Sequence, residues 1–183
     1  MWKIIIFILF TFFLIYISRA SLLKPHSHGF YRFFAWECIL ILFLLNADYW
    51  FHSPFAWNQI IAWILLFICI APLVLGVQSL TSHGKPISKR AGDESLLSFE
   101  KTTQLVTTGI YKYIRHPLYS SLFLLTWGIF FKSFSVAGVA LALVATFFLI
   151  FTAKADEVEC VRFFGPAYSE YMLKTKRFIP YIF

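Results

Sequence analysis

Charge is scarce in this sequence. Asp, Glu, Lys and Arg make up 14% of its 183 residues, where a soluble domain carries about 25%. An ordinary soluble domain is therefore excluded. Cysteine is almost missing as well: Cys38, Cys69 and Cys160 are odd in number, far apart and mostly set in apolar sequence. With no CxxC and no Cys/His spacing, neither a disulfide framework nor a structural zinc site is expected. His26, His28, His52 and His83 lack ligand spacing too, so no metal is expected. There is no internal repeat, heptad or low-complexity tract. The polar stretches are too short for a separate catalytic domain, so any site must be built from the ends of apolar segments.

Apolar residues are abundant instead, at 60% hydrophobic and 21% aromatic. The pattern predicts an all-α integral membrane helical bundle in one domain. About five spans are expected, at residues 2–17, 30–45, 57–80, 117–132 and 136–153, where an untilted crossing needs roughly 20 residues. The first could pass for a signal peptide, but its small-residue cleavage pattern is weak, and it is read as a retained span. Pro72 and Gly76 mark expected kinks in the third. A net charge of +7 would suggest nucleic acid in a soluble protein, but here the cations are distributed asymmetrically. Arg19, Lys24 and Arg32 precede or open the second span, Lys85, Lys89, Arg90, Lys101, Lys112 and Arg115 fall between the third and fourth, and Lys154, Arg162, Lys174, Lys176 and Arg177 follow the fifth. Lys3 and Lys132 stand opposite. By the positive-inside bias the N-terminus is out and the C-terminus cytoplasmic. Membrane lipids are the expected surroundings and no nucleic acid is expected to bind.

One polar run stands out between greasy segments: Thr107-Thr108-Gly109-Ile110-Tyr111-Lys112-Tyr113-Ile114-Arg115-His116-Pro117-Leu118-Tyr119. Pro117 suits the first turn of a helix, where its missing N–H would be unpaired anyway. Taken singly, Arg115 and His116 read as an interfacial anchor, and Lys154-Ala155-Asp156-Glu157 as a solvated helix face. An antiparallel hairpin of the last two spans, however, brings both groups to the same cytoplasmic level. Asp156 and Glu157 point about 100° apart on a helix, so at most one faces a given pocket squarely. Glu37 is read as a shallow interfacial carboxylate.

The run from Leu105-Val106 through Tyr119 resembles the signature of isoprenylcysteine carboxyl methyltransferases and their phospholipid N-methyltransferase relatives. A second block is similar as well: the acidic pair Asp156-Glu157, then Phe164-Gly165, Tyr168 and Tyr171. Phe178-Ile179-Pro180 and Gly84-Lys85-Pro86 add weaker matches. The resemblance implies an S-adenosyl-L-methionine-dependent methyltransferase whose site is formed by the 81–116 loop and the 154–183 tail. Carried over by position, the cofactor would meet Thr103, Gln104, Leu105, Val106, Tyr111, His116, Pro117, Leu118 and Tyr119, with Asp156 and Glu157 closing the site. The acceptor would be a lipophilic molecule from the bilayer, a prenylated cysteine first and a phospholipid second. A carboxylate acceptor needs no base, and Arg115 or Lys154 would position it. An amine needs one, and Glu157 or Asp156 would serve. Arg115 and Glu157 are thus the expected catalytic pair.

The chain departs from the family pattern in three places. Asp156 stands where relatives usually carry Glu. Thr152 stands where members that methylate carboxylates tend to carry Arg, and Ser120-Ser121 replaces a glycine. Two other readings compete. An NADPH-dependent sterol-type reductase shares an Arg-His-Pro-x-Tyr block, but Leu118 and Ser120-Ser121 do not fit it. A non-catalytic scaffold or transporter gives no reason for Tyr111, His116 and Glu157 to matter together.

Overall fold

The computed structural model describes residues 1–87 and 96–182. Lys89, Arg90, Asp93 and Glu94, part of the polar loop between the third and fourth segments, lie outside them. Four helical segments, Trp2–Leu22, His28–Tyr49, Trp57–His83 and Val136–Phe164, are long and apolar enough to cross a membrane, and a shorter apolar helix joins them.

Helix α1 (Trp2–Leu22) is apolar on all sides and packs along α2 (His28–Asn46). Ser27 starts α2, its hydroxyl accepting from the Phe30 N–H at 3.2 Å, which satisfies one of the unpaired donors of a first turn. The third apolar segment is two helices, α3 (Trp57–Ile68) and α4 (Ile70–His83), broken at Cys69. Pro72 causes the break, because its ring cannot tolerate the carbonyl of Ile68 four residues back. Gly76, expected as a kink, lies within continuous helix instead. A Cβ there would come within 3.1 Å of the Pro117 ring, so glycine allows the close approach of α4 to the start of the next helix.

Helix α5 (Pro117–Phe130) has 14 residues, spanning about 21 Å, and is therefore shorter than a hydrocarbon core of about 30 Å. Helix α6 (Val136–Phe164) has 29 residues and runs about 43 Å, so its last turns project beyond such a core. Ala35 and Leu42 of α2 and Ala142 and Ala145 of α6 are fully buried; small side chains let α2 and α6 pack backbone to backbone. At Gly165 φ is +63° and ψ −142°, a conformation open essentially to glycine. It ends α6 and turns the chain into α7 (Pro166–Lys174).

The two ends of the bundle are closed differently. At one, the amides of Asn46, Asn58 and Gln59 donate to the carbonyls of Ile129, Phe131 and Lys132, satisfying acceptors that a helix C-terminus leaves unpaired. At the other, the tail returns beside the polar run: Arg115 N donates to Lys176 O at 2.8 Å and His116 N to Arg177 O at 3.1 Å. Loop residues 22–28, the 96–116 segment, the end of α6 and the tail all gather at that second end.

Candidate active site

The side chains that gather there line a cavity of about 770 Å³, its solvent-open mouth included. Five segments build it, α4 contributing Leu80 alone. The 96–106 segment supplies Leu96, Glu100, Thr102, Leu105 and Val106. The polar run supplies Tyr111 and residues 115–119, α6 supplies Asp156, Glu159, Cys160 and Phe164, and α7 supplies Tyr168 and Tyr171.

Local sequence dictates most of these positions. His116 precedes a proline and is held out of the helical region, at φ −124° and ψ 62°, as the proline ring requires. Its ring stacks on Tyr119, with centroids 5.4 Å apart and planes at 21°. Tyr111 is placed by a 3-10 turn over Gly109–Lys112, and its carbonyl accepts from the Tyr171 hydroxyl at 2.7 Å. Asp156 and Glu159 are three residues apart on α6, so they share a face, and both reach the cavity. Glu157 points elsewhere.

Glu157 is buried at 5% exposure and is surrounded by bases. Arg115 Nε donates to its Oε1 at 3.0 Å, and Arg177 gives Nε to Oε1 at 3.0 Å and Nη2 to Oε2 at 2.7 Å. His116 Nε2 stands 3.3 Å from the same Oε1, while its Nδ1 stands 3.3 Å from Asp156 Oδ2. A ring with a carboxylate at each nitrogen must donate from both, which is the imidazolium. Burial alone would lower the His116 pKa, but the hydrogen bonds to Asp156 and Glu157 outweigh it and leave the pKa raised. Arg177 is also held further toward the charged state, first by its hydrogen bond to Glu157. Burial raises the pKa values of Tyr111, Tyr168 and Tyr171, so their hydroxyls stay protonated.

The cavity carboxylates have partners from the amino-terminal half. Arg32 Nη1 donates to both oxygens of Glu100, at 3.0 and 2.9 Å, and Leu97 N donates to Glu100 Oε2 at 2.8 Å. His28 Nδ1 meets Glu159 Oε2 at 2.6 Å, and His28 N donates to Glu159 Oε1 at 2.9 Å.

Of the residues expected from sequence, Leu105, Val106, Tyr111, His116, Pro117, Leu118, Tyr119 and Asp156 line the cavity. Arg115 lines it with Nε and Nη2 on Glu157 and Nη1 donating to the carbonyls of Met172 and Thr175. Thr103 and Gln104 are exposed and do not line it. Thr103 bonds the Lys85 carbonyl, and Gln104 borders a separate recess with His83 and Lys85. Lys154 is exposed, its ammonium 5.5 Å from the Phe151 ring centroid. Glu157 stands behind the wall as a tie between the polar run and the tail. Glu100, Glu159 and their partners Arg32 and His28 were not expected. The spacing of Asp156 and Glu159 was a signal for one of them, while the other pairings have none in the sequence. Among the described residues no group of His, Cys, Asp and Glu is arranged to hold a metal ion.

Aromatic faces beside carboxylates suit a cationic sulfonium, and the apolar wall of Leu105, Val106 and Leu118 suits a flat heterocycle. The lining thus fits S-adenosylmethionine in its chemistry.

Comparison with known proteins agrees with this chemistry. A model of the phospholipid methyltransferase family matches residues 57–165. A methanethiol S-methyltransferase from Crocosphaera subtropica is 32% identical over 76 residues, which cover 42% of this chain and 29% of that protein's length.

Proposed function

The chain belongs to the phospholipid methyltransferase family, and from that premise we propose that it methylates a lipophilic amine or thiol drawn from the bilayer. S-adenosylmethionine would supply the methyl group from its sulfonium sulfur. Tyr111, His116, Tyr119 and Asp156 would hold it, with Leu105, Val106 and Leu118 against its adenine. Because methyl transfer discharges a cation, the protein's contribution is alignment and exclusion of water, for which a walled cavity at the helix ends is suited.

One observation carries the choice of acceptor. Glu100, Asp156 and Glu159 line the cavity, while Arg115, the cation expected to clamp a carboxylate, is already engaged with Glu157 and two carbonyls. Lys154 is turned away from the wall. A carboxylate acceptor, the prenylcysteine reading that the resemblance put first, would face three acids there without a free cation among the described residues. An ammonium or a neutral thiol would not.

A second cavity supports the lipophilic character of the acceptor. An apolar groove of about 1290 Å³ runs between α1, α2, α3 and α5, lined by Trp36, Trp63, Leu122, Leu125 and Ile129 among others. Leu118 of the site and Leu122 of the groove lie one turn apart on α5, so one face of that helix serves both. A hydrocarbon tail in the groove would present its polar head to the site. The Lys- and Arg-rich end of the bundle would face the cytoplasm by the positive-inside bias.

Calorimetry with S-adenosylmethionine on detergent-purified protein tests the reading; it expects binding. Labelled methyl groups offered with phosphatidylethanolamine, 1-octanethiol or N-acetyl-farnesylcysteine then separate the acceptors. Label in the amine or thiol supports the proposal. Label confined to the farnesylcysteine carboxylate overturns the choice of acceptor, and absence of binding overturns the whole reading.

A further inference from the structure

The amino-terminal half of α2, which lies outside the family-matched residues 57–165, contributes two of the bases that hold cavity carboxylates. The three carboxylates differ in what holds them, and the difference decides which can take a proton. Glu100 receives a guanidinium on both oxygens as well as a backbone N–H. Arg32 remains charged at any working pH, so both Glu100 oxygens already face a full positive charge. Asp156 faces His116, an imidazolium shared with Glu157, which also favours its ionised form. Glu159 is different.

Both hydrogen bonds to Glu159 come from His28: the backbone N–H to Oε1 and Nδ1 to Oε2. The ring of His28 is completely buried, and its Nε2 has no hydrogen-bond partner. A proton on Nε2 would be a buried donor without an acceptor, at a cost of about 1–3 kcal/mol. Burial lowers the ring's pKa, while the hydrogen bond to Glu159 and the nearby Asp156 raise it against that burial; the unpartnered Nε2 opposes them and favours the neutral ring, donating from Nδ1 and carrying a bare lone pair on Nε2. No full positive charge then bonds Glu159 directly. Of the three, it is the carboxylate best able to be a base, and it reaches the cavity one turn from Asp156.

We propose that Glu159 accepts the proton of the methyl acceptor and that His28 is its positioning residue, so that the acceptor is a group which loses a proton on methylation. This rests on the methyltransferase reading above. As the acceptor's nitrogen or sulfur bonds the methyl carbon, the carbon–sulfur electron pair of the donor stays on its sulfur. The proton of the acceptor's N–H or S–H passes to a Glu159 oxygen and leaves to solvent through the cavity mouth. His28 holds the carboxylate by two donated bonds throughout and keeps its own protonation. It also ties α2 to α6.

The test uses full-length protein with Glu159→Gln and His28→Gln, and two readouts besides turnover. Calorimetry with S-adenosylmethionine should give Kd values within about threefold of the wild type, a change of less than 0.7 kcal/mol. Nitrogen-15 NMR of His28 at pH 7 should show a neutral ring protonated at Nδ1. Transfer to 1-octanethiol or phosphatidylethanolamine should fall about 10²–10⁴-fold in Glu159→Gln, the usual contribution of a general base. The acidic limb of its pH profile should be lost. His28→Gln should shift that limb and lower kcat by less than Glu159→Gln does, leaving KM for the donor unchanged. Unchanged transfer in Glu159→Gln, or a His28 imidazolium, overturns the proposal while wild-type cofactor binding leaves the methyltransferase reading standing. Loss of donor binding in Glu159→Gln overturns it too, by assigning the carboxylate to the donor. Failure of the wild type to bind the donor overturns the methyltransferase reading itself.

Discussion

At one end of the bundle Arg115, His116 and Arg177 converge on Glu157, with Asp156 as a second acid on His116. At the other end Lys132, 2% exposed, meets no acid among the described residues. Its ammonium donates to Trp50 O at 3.3 Å and Gln59 Oε1 at 3.0 Å and lies 3.5 Å from the Trp63 ring centroid. Both ends bury cations, but one neutralises them with carboxylates and the other with carbonyls and an indole face. The first arrangement concentrates charge beside a cavity. The second closes a helix hairpin and leaves the surroundings apolar. A ligand site needs the former, since paired charges can be redistributed toward a bound ion, whereas a neutral cage holds its lysine and offers nothing further.

The largest expected effect breaks the charged end. Glu157→Ala removes the acceptor for three bases at once and leaves them buried beside each other. Loss of one partner from a buried ion pair costs about 3–5 kcal/mol, and we expect that order of destabilisation in urea unfolding in detergent. Residues 166–182, held to the polar run through Arg177 and the backbone bonds beside it, should become sensitive to protease. A loss below about 1 kcal/mol with a protected tail would show that the clamp does not hold this end together.

How much of this contrast the sequence announces depends on distance along the chain. The approach of Arg115-His116 to Asp156-Glu157 is legible, because a short turn between two apolar segments forces a hairpin and aligns their ends. The first turn at Pro117 and the face shared by Asp156 and Glu159 are legible from local rules. Arg177 is not: it is one of several tail cations, and what selects it is the pairing of residues 113–116 with 176–177, which no periodicity encodes. Nor are Arg32–Glu100 and His28–Glu159, whose partners are 68 and 131 residues apart. They look like loop charges until the fold brings them together. Likewise, Lys132 reads as a cation at a span end, and its burial depends on Trp63 arriving from another helix. Membership of the membrane bundle class was legible because composition alone sets it.

A smaller effect is expected at the neutral end. Lys132→Met removes the donor from Gln59 Oε1 and the Trp50 carbonyl and leaves both in an apolar pocket. An unsatisfied buried acceptor costs about 1–3 kcal/mol, and the lost contact with the indole about 0.5–2 kcal/mol more. Methionine keeps the chain volume and the ring contact in part, so we expect about 1–3 kcal/mol overall by the same unfolding measurement. Cofactor binding should be unchanged, since Trp50, Gln59, Trp63 and Lys132 do not line the cavity at the charged end. A Lys132→Met protein that loses cofactor affinity would mean that the two ends are coupled and the comparison is wrong.

The smallest effect is a difference in sign. His116 has a raised pKa in the folded protein, so its contribution is fully present below the unfolded value of about 6.5 and is lost as pH rises through the folded value. Lys132 has the reverse displacement: burial pulls it down to about 8, below the unfolded value of about 10.4. Between those two values the unfolded chain binds more protons, so stability from that end rises with pH. The indole face opposes the displacement by favouring the charged ammonium, which narrows the window but not its direction. Wild-type stability relative to His116→Gln should therefore shrink with rising pH, while relative to Lys132→Met it should grow from pH 8 to 10. Each trend is bounded by about 1.4 kcal/mol per pH unit and is read as a difference between melting curves at each pH. Trends of the same sign would mean that the cations at the two ends are held by the same kind of interaction.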